Sequence, residues 1–186
     1  MTSVQIEMLA AVLLLVTVWL VARRSLWNYA FGIAAVCLYA LLFWQARLYA
    51  AFGLQFLFLA LNIYGLLNWR QARVPDGDVP VGRLSWAMRG ATVAAVVAMS
   101  AAVALLLVRT TDAVAPWWDS ANMAISLAAQ WWQARRRVET WPLWVLVNIG
   151  SVGLYATQGL WWTAGVYALL LAVAAKGWRD WARVAQ

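Results

Sequence analysis

Seven apolar stretches, 4–22, 27–44, 48–67, 90–108, 117–132, 141–157 and 160–175, are separated by polar breaks along the chain. Polar positions within them recur at steps of three and four, and none alternates apolar with polar residues as a barrel strand would, so each is predicted to be an α-helix. Several are shorter than the roughly 20 residues that cross a bilayer, but flanking Trp and Arg residues extend them into the interface. The one long polar interval, Arg70 to Arg89, contains Pro75, Asp76, Gly77, Pro80 and Gly82 and reads as a flexible linker. It divides the chain into a first three-helix unit (1–74), a linker with helix 4 (75–110) and a second three-helix unit (111–186).

Composition places these helices in lipid. With 66% hydrophobic residues, a mean hydropathy of +0.72 and 11% charged residues, the chain exceeds what a soluble core of 186 residues can hide. The expected fold class is an all-α integral membrane protein with seven transmembrane helices. On that count, 12 of the 14 Lys and Arg residues follow helices 1, 3, 5 and 7, and only Arg47 and Arg109 lie on the other side. The positive-inside rule then sets the N-terminus outside and the C-terminus in the cytoplasm, as a multi-pass protein of the inner (plasma) membrane. The net charge of +7 is thereby a topology signal, and no nucleic-acid partner is expected. No Lys or Arg precedes Met8 to Ala22 while Arg23 and Arg24 follow it, so this stretch is read as a retained helix and not as a signal peptide. The single cysteine, Cys37, can form no intrachain disulfide.

A shift of 112 residues lays the first unit on the second: Trp19 meets Trp131, Arg23 and Arg24 meet Arg135 and Arg136, Gly53 meets Gly165, Gly65 meets Gly177 and Trp69 meets Trp181. Each unit reads Trp-x3-Arg-Arg, then Gly-x11-Gly-x3-Trp. Because three helices are an odd number, helix 4 is needed as an inverter for both units to share one orientation. The result is a 3+1+3 parallel repeat, an arrangement in which substrate sits near the bilayer midplane between repeats.

Catalytic chemistry has little support. The chain has no histidine, no Cys pair, no nucleophile in a G-x-S-x-G setting and no acidic cluster inside a span, so neither an enzyme, a metal site nor a cofactor is expected. Ionisable groups lie near helix ends: Glu7 and Asp119 toward the outer side, Glu139 and Lys176 toward the inner side. That leaves no evident proton relay. Gly150-Ser151-Val152-Gly153 is read as a close-packing patch. Polar stripes are more informative. Helix 5 aligns Asp119, Asn122, Ser126 and Gln130 on one face, and helix 6 aligns Trp141, Trp144, Asn148, Ser151 and Tyr155. Helix 3 spaces Gln55, Asn62 and Trp69 by sevens with Tyr64 nearby, and helix 2 offers Asn28, Tyr39 and Phe43. Interhelical hydrogen bonds and interfacial anchors account for single residues of this kind. The convergence of Gln55, Gln130 and Asn148, each well inside its span, points instead to a hydrated binding cavity, with Trp144 and Tyr39 as its aromatic surface.

These residues carry a resemblance. The runs Arg47-Leu-Tyr-Ala-Ala-Phe-Gly-Leu-Gln55 and Asn62-Ile-Tyr-Gly-Leu-Leu-Asn-Trp69 resemble the third helix of PnuC-type vitamin transporters. In the second unit, Trp117-Trp-Asp-Ser120, Ala129-Gln-Trp131, Ala134-Arg-Arg136, Val138-Glu-Thr-Trp-Pro-Leu-Trp144, Asn148, Tyr155, Gly159-Leu160 and Tyr167 follow the family pattern in order. Asn28-Tyr29-Ala30-Phe31-Gly32 departs from it, since the family commonly has Trp-Pro there. The resemblance implies a SWEET-like fold, usually trimeric, that takes up nicotinamide riboside by facilitated diffusion and relies on a cytoplasmic nucleoside kinase to trap it, with no cofactor. The polar and aromatic stripes place the expected substrate site among Gln55, Gln130, Trp144, Asn148, Tyr39, Asn62, Asn122, Ser126 and Tyr167. A flat cationic ring suits Trp and Tyr faces, and sugar hydroxyls and an amide suit Gln and Asn. Thiamine meets the same description, and riboflavin is carried by relatives. A receptor or scaffold of the same fold is the alternative from another class.

Overall fold

A computed structural model describes residues 3–45, 49–73, 79–111, 116–157 and 161–185. Arg47, Pro75 to Gly77 and Gly159-Leu160 lie outside the described residues, as do the side chains of Glu7, Phe43 and Tyr155. Seven helices follow one another: α1 (Ser3–Ala22), α2 (Trp27–Gln45), α3 (Tyr49–Ala72), α4 (Trp86–Thr110), α5 (Pro116–Ala134), α6 (Thr140–Thr157) and α7 (Trp161–Val184). Each contains its predicted apolar stretch to within a residue or two. The largest extension is α7, which runs past the predicted end at Ala175 to Val184. Lys176, Arg179 and Arg183 read as loop charges, but Ala174, Gly177 and Trp181 keep one face of the helix buried, and Lys176 pairs with Asp180 one turn on. On length and composition alone, Phe52–Ala72 and Trp86–Thr110 qualify as membrane-crossing among the described residues. Met8–Ala22 and Trp27–Leu42 are shorter apolar helical runs, while polar stripes interrupt α5 and α6 and charges occupy the end of α7.

Six helices close into a ring. α1 packs on α2, α2 on α3, α3 on α5, α5 on α6, α6 on α7 and α7 on α1, while α4 packs on α5 alone among the described residues. α4 is capped at its start by Ser85, whose Oγ accepts from the Met88 N–H at 3.3 Å.

The repeat seen in the sequence governs local geometry at one end of this ring. α1 and α5 both end in a Schellman turn. Arg24 (φ 56°) and Arg136 (φ 58°) occupy the left-handed position, and the Ser25 and Arg137 N–H groups reach back to the Leu20 and Trp132 carbonyls at 3.0 and 2.9 Å. The Arg23 guanidinium lies 4.2 Å from the Trp19 ring centroid and that of Arg135 4.3 Å from the Trp131 centroid. Tyr29 meets Trp69 edge-on at 5.3 Å, and Trp141 meets Trp181 edge-on at 5.4 Å. Gly65 and Gly177 make these contacts possible, since a Cβ on either would fall 2.5 Å from Tyr29 Oη or Trp141 Cη2. Every pair named is separated by the same 112 residues.

Trp69 and Trp181 touch each other, with ring centroids 5.9 Å apart, across the seam between the two units. The Trp69 Nε1–H donates to the Gln133 carbonyl (3.1 Å) and the Trp181 Nε1–H to the Ala22 carbonyl (3.2 Å), so this aromatic plug engages all six ring helices. It forms the main hydrophobic core together with Val21, Val79, Val81 and Val138.

The described part of the linker is therefore not a loose connection. Val79, Val81 and Leu84 are buried. Gly82 exchanges backbone hydrogen bonds with Arg136 and Val138 at 3.0 and 3.1 Å, and the Arg83 guanidinium donates to the Ala182 carbonyl at 2.7 Å. Glu139 accepts from the Leu84 N–H (3.1 Å) and pairs with Arg89 (2.6 Å). Residues 79–84 are thus a strap across the plug. Pro and Gly in this segment suit an extended path as well as they suit a flexible one, and the valines are held because a tryptophan surface lies beside them.

Candidate substrate-binding site

The predicted site residues distribute over five of the ring helices: Tyr39 on α2, Gln55 and Asn62 on α3, Asn122, Ser126 and Gln130 on α5, Trp144 and Asn148 on α6, and Tyr167 on α7. Gln55, Asn62, Ser126, Gln130 and Asn148 are buried, none more than 8% exposed, and the other four are half-buried. In a chain this apolar, five buried amide and hydroxyl side chains must be matched by something.

Most buried polar groups elsewhere are matched inside the protein. Thr17 Oγ1 donates to the Leu13 carbonyl at 2.8 Å, Thr140 Oγ1 to the Ala129 carbonyl at 2.8 Å, and Trp132 Nε1 to Thr92 Oγ1 at 3.1 Å. Asn62 belongs to this class: its Nδ2 donates to the Phe58 carbonyl at 2.8 Å, and a Cβ on Gly32 would fall 2.8 Å from its Oδ1, so it packs α3 tightly on α2. Ser126, Gln130 and Asn148 differ. They have no hydrogen-bond partner among the described residues, and their polar atoms are not sealed off as Tyr29 Oη and Trp141 Nε1 are. Leaving such groups unmatched costs about 1–3 kcal/mol each, which makes them candidates to bind water or a ligand.

Trp144 is fixed in place. Its Nε1–H donates to Gln133 Oε1 at 3.1 Å, and Gln133 is itself buried, with its backbone carbonyl tied to Trp69. Gln133 was not among the predicted residues, although it continues the α5 stripe by a further step of three beyond Gln130. It links the aromatic side chain of the candidate site to the plug. Gly150 lies against Trp118 of α5, as expected of the close-packing patch, whereas Gly153 has open space around it.

The repeat makes the site lopsided. Shifted by 112 residues, Gln130, Ser126 and Asn148 correspond to Val18, Leu14 and Val36, and Gln55 corresponds to Tyr167. The α5–α6 wall therefore carries polar side chains where the equivalent α1–α2 wall carries aliphatic ones. Such a pairing suits a ligand with one polar edge and one apolar face.

At the plug end, the Arg136 guanidinium donates to the Asn68 carbonyl at 2.9 Å and to Asn68 Oδ1. Burial, and then the neighbouring Arg137, push its pKa down from the ordinary arginine value. A cavity of about 410 Å³ opens between the end of α1 and the end of α7, across the seam of the two units, lined by Arg23, Arg24, Asp180 and Arg183 among others, and none of the nine predicted residues lines it.

Residues 4–183 match the family described as nicotinamide mononucleotide transporter. The chain belongs to that family. It is 30% identical to the nicotinamide riboside transporter PnuC of Escherichia coli, over 95% of this chain and 84% of that protein. It is 32% identical to the riboflavin/roseoflavin transporter RibM of Streptomyces davaonensis, over 94% of this chain and 83% of that one. Its fold matches the crystal structure of the vitamin B3 transporter PnuC with a TM-score of 0.79 at 24% identity, covering 97% of this chain and 81% of that structure. The chain is accordingly a multi-pass membrane vitamin transporter and not an enzyme, as the resemblance and the want of catalytic groups implied.

Proposed function

We propose that this chain takes up nicotinamide riboside by facilitated diffusion, with cytoplasmic phosphorylation by a nucleoside kinase as the trap. The observation that carries the proposal is the set of buried polar side chains at Ser126, Gln130 and Asn148, without a hydrogen-bond partner among the described residues and aliphatic at the repeat-equivalent positions, together with a Trp144 held by Gln133. A ribose and a carboxamide satisfy the polar wall. A desolvated cationic ring over Trp144 gains about 2 kcal/mol, which a neutral ring does not. Gln55, Tyr39, Asn122 and Tyr167 complete the proposed lining, and Asn62 supports it from behind. The second reading is riboflavin, favoured by the comparable similarity to the Streptomyces transporter. Equilibrium binding of nicotinamide riboside, thiamine and riboflavin to the purified protein separates the readings. Nicotinamide riboside should bind tightest, and a clear preference for riboflavin would replace it.

In this reading all seven helices span the membrane as a SWEET-like 3+1+3 parallel repeat, assembled as a homotrimer. The N-terminus is outside and the arginine-rich plug end is cytoplasmic. Tyr29, Trp69, Trp141, Trp181 and the strap close that end, so inward release requires the two units to part along the Trp69–Trp181 contact. The orientation is open to a direct check. In a Cys37→Ser background, a cysteine at Arg83 should react with an impermeant thiol reagent only from the cytoplasmic face and one at Thr111 only from outside. Reaction of both from one face would break the assignment.

A further inference from the structure

The groove between α4 and α5 belongs to neither the ring nor the proposed site. It measures about 550 Å³ and is lined almost wholly by apolar side chains, among them Met88, Val96 and Met99 of α4 and Leu127 and Trp131 of α5. From Met88 to Met99 is eleven residues, about 16 Å of α-helix, which is close to half of the roughly 30 Å hydrocarbon core. The groove thus spans one leaflet, the one on the arginine-rich side. One wall is rigid: the Trp131 ring stacks flat on Tyr64, with centroids 5.5 Å apart and planes 9° apart.

Arg135 stands one turn beyond Trp131, at the headgroup end of the groove. Its guanidinium carbon lies 4.3 Å from the Trp131 centroid, and its Nε is buried with no hydrogen-bond partner. The other arginine at this end, Arg89, lies over Trp86 at 4.5 Å but is already paired with Glu139. Arg135 as a whole is half-buried and has no acidic partner among the described residues, and it therefore leaves a net positive charge where a lipid phosphate would lie. The equivalent pair in the first unit is Arg23 on Trp19, where α1 packs on α2 and α7 with no counterpart of α4 among the described residues.

We propose that the α4–α5 groove seats one acyl chain of an anionic phospholipid, whose phosphate is held by Arg135. The occupant is a lipid and not a free phosphate ester, because the apolar length of the groove matches a leaflet and the cation stands only at its end. It is anionic because a zwitterionic headgroup would bring its own cation to a groove end where the one acidic side chain among the described residues, Glu139, already holds Arg89.

The test is native mass spectrometry of the intact protein purified in an equimolar mixture of phosphatidylglycerol and phosphatidylcholine. The wild type should retain one phosphatidylglycerol per chain. Arg135→Gln should reduce the preference for phosphatidylglycerol by about fivefold, Arg135→Lys should restore most of it, and Arg23→Gln should leave it unchanged. Ala95→Trp, which places a large ring on a groove-lining residue exposed to lipid, should remove retention of both lipids. Each variant is first checked for wild-type helix content and elution. Full preference in Arg135→Gln, or lipid still retained by Ala95→Trp, would overturn the proposal. A changed oligomeric mass in Ala95→Trp with unchanged lipid retention would also overturn it, and would make the groove a contact between copies of the chain.

Discussion

Asn148→Ala should weaken nicotinamide riboside binding by roughly 1–3 kcal/mol, about 5- to 150-fold, with the protein still folded. Asn148 is buried in α6 and has no hydrogen-bond partner among the described residues, so on the proposed reading its removal leaves a substrate polar group unpaired while breaking none of the internal bonds seen there. The contrast with Asn62 sharpens the expectation. Asn62 is equally buried, but its Nδ2 is bonded to Phe58 and its Oδ1 packs on Gly32. Asn62→Ala should therefore lower stability more than affinity. Binding isotherms and unfolding curves on both variants decide the matter. If Asn148→Ala behaves like Asn62→Ala, losing stability and keeping affinity, Asn148 is a packing residue.

The second large effect lies at the plug. Trp69→Ala and Trp181→Ala should each lower stability by about 3–5 kcal/mol, since each removes a fully buried tryptophan and an Nε1–H hydrogen bond to the opposite unit. Their environments are two versions of one motif, with an edge-on aromatic from α2 or α6 and a glycine one turn before. The two losses should therefore be similar. Because the rings touch, the double variant should depart from the sum of the single effects by a measurable coupling, commonly 0.5–3 kcal/mol. Denaturant unfolding in detergent supplies the comparison. Strict additivity, or a near-neutral effect at one of the two sites, would show that the plug does not join the units.

Trp69 and Trp181 also show why the fold was so legible in the sequence. Most of the distinctive residues that repeat at a shift of 112 are those whose chemistry the geometry cannot replace: a tryptophan whose ring and N–H are both used, a glycine against an aromatic ring, and paired arginines at a left-handed turn; Gly53 and Gly165, with open space around both, are the exception. Plain apolar positions carry no such signature, and they drift. The strap was not legible. Val79, Pro80, Val81 and Gly82 have the composition of a flexible connection, and only the tryptophan surface makes burial favourable. The polar stripe of α5 singles out Ser126 and Gln130 as candidates, yet periodicity alone does not tell a side chain left for a ligand from one satisfied within its own helix. Asn62 and Gln133 differ from Gln130 in their hydrogen bonds and not in their spacing.

The energetics of transport follow from the ionisable groups. Asp119 is exposed at the start of α5, Glu139 is held by Arg89 and the Leu84 N–H, and Lys176 pairs with Asp180, so none is placed among the unpartnered polar residues of the proposed site. On the proposed reading, the substrate should move down its own gradient, with membrane potential acting only through the charge of the substrate, at about 2.3 kcal/mol per 100 mV. The decisive measurement is uptake of nicotinamide riboside by protein-containing vesicles clamped at zero potential. Internal substrate should rise to the external concentration and stop, whether or not a proton or sodium gradient is imposed. Accumulation beyond equality driven by either gradient would contradict facilitated diffusion, and absence of uptake by a protein that binds the substrate would favour a receptor.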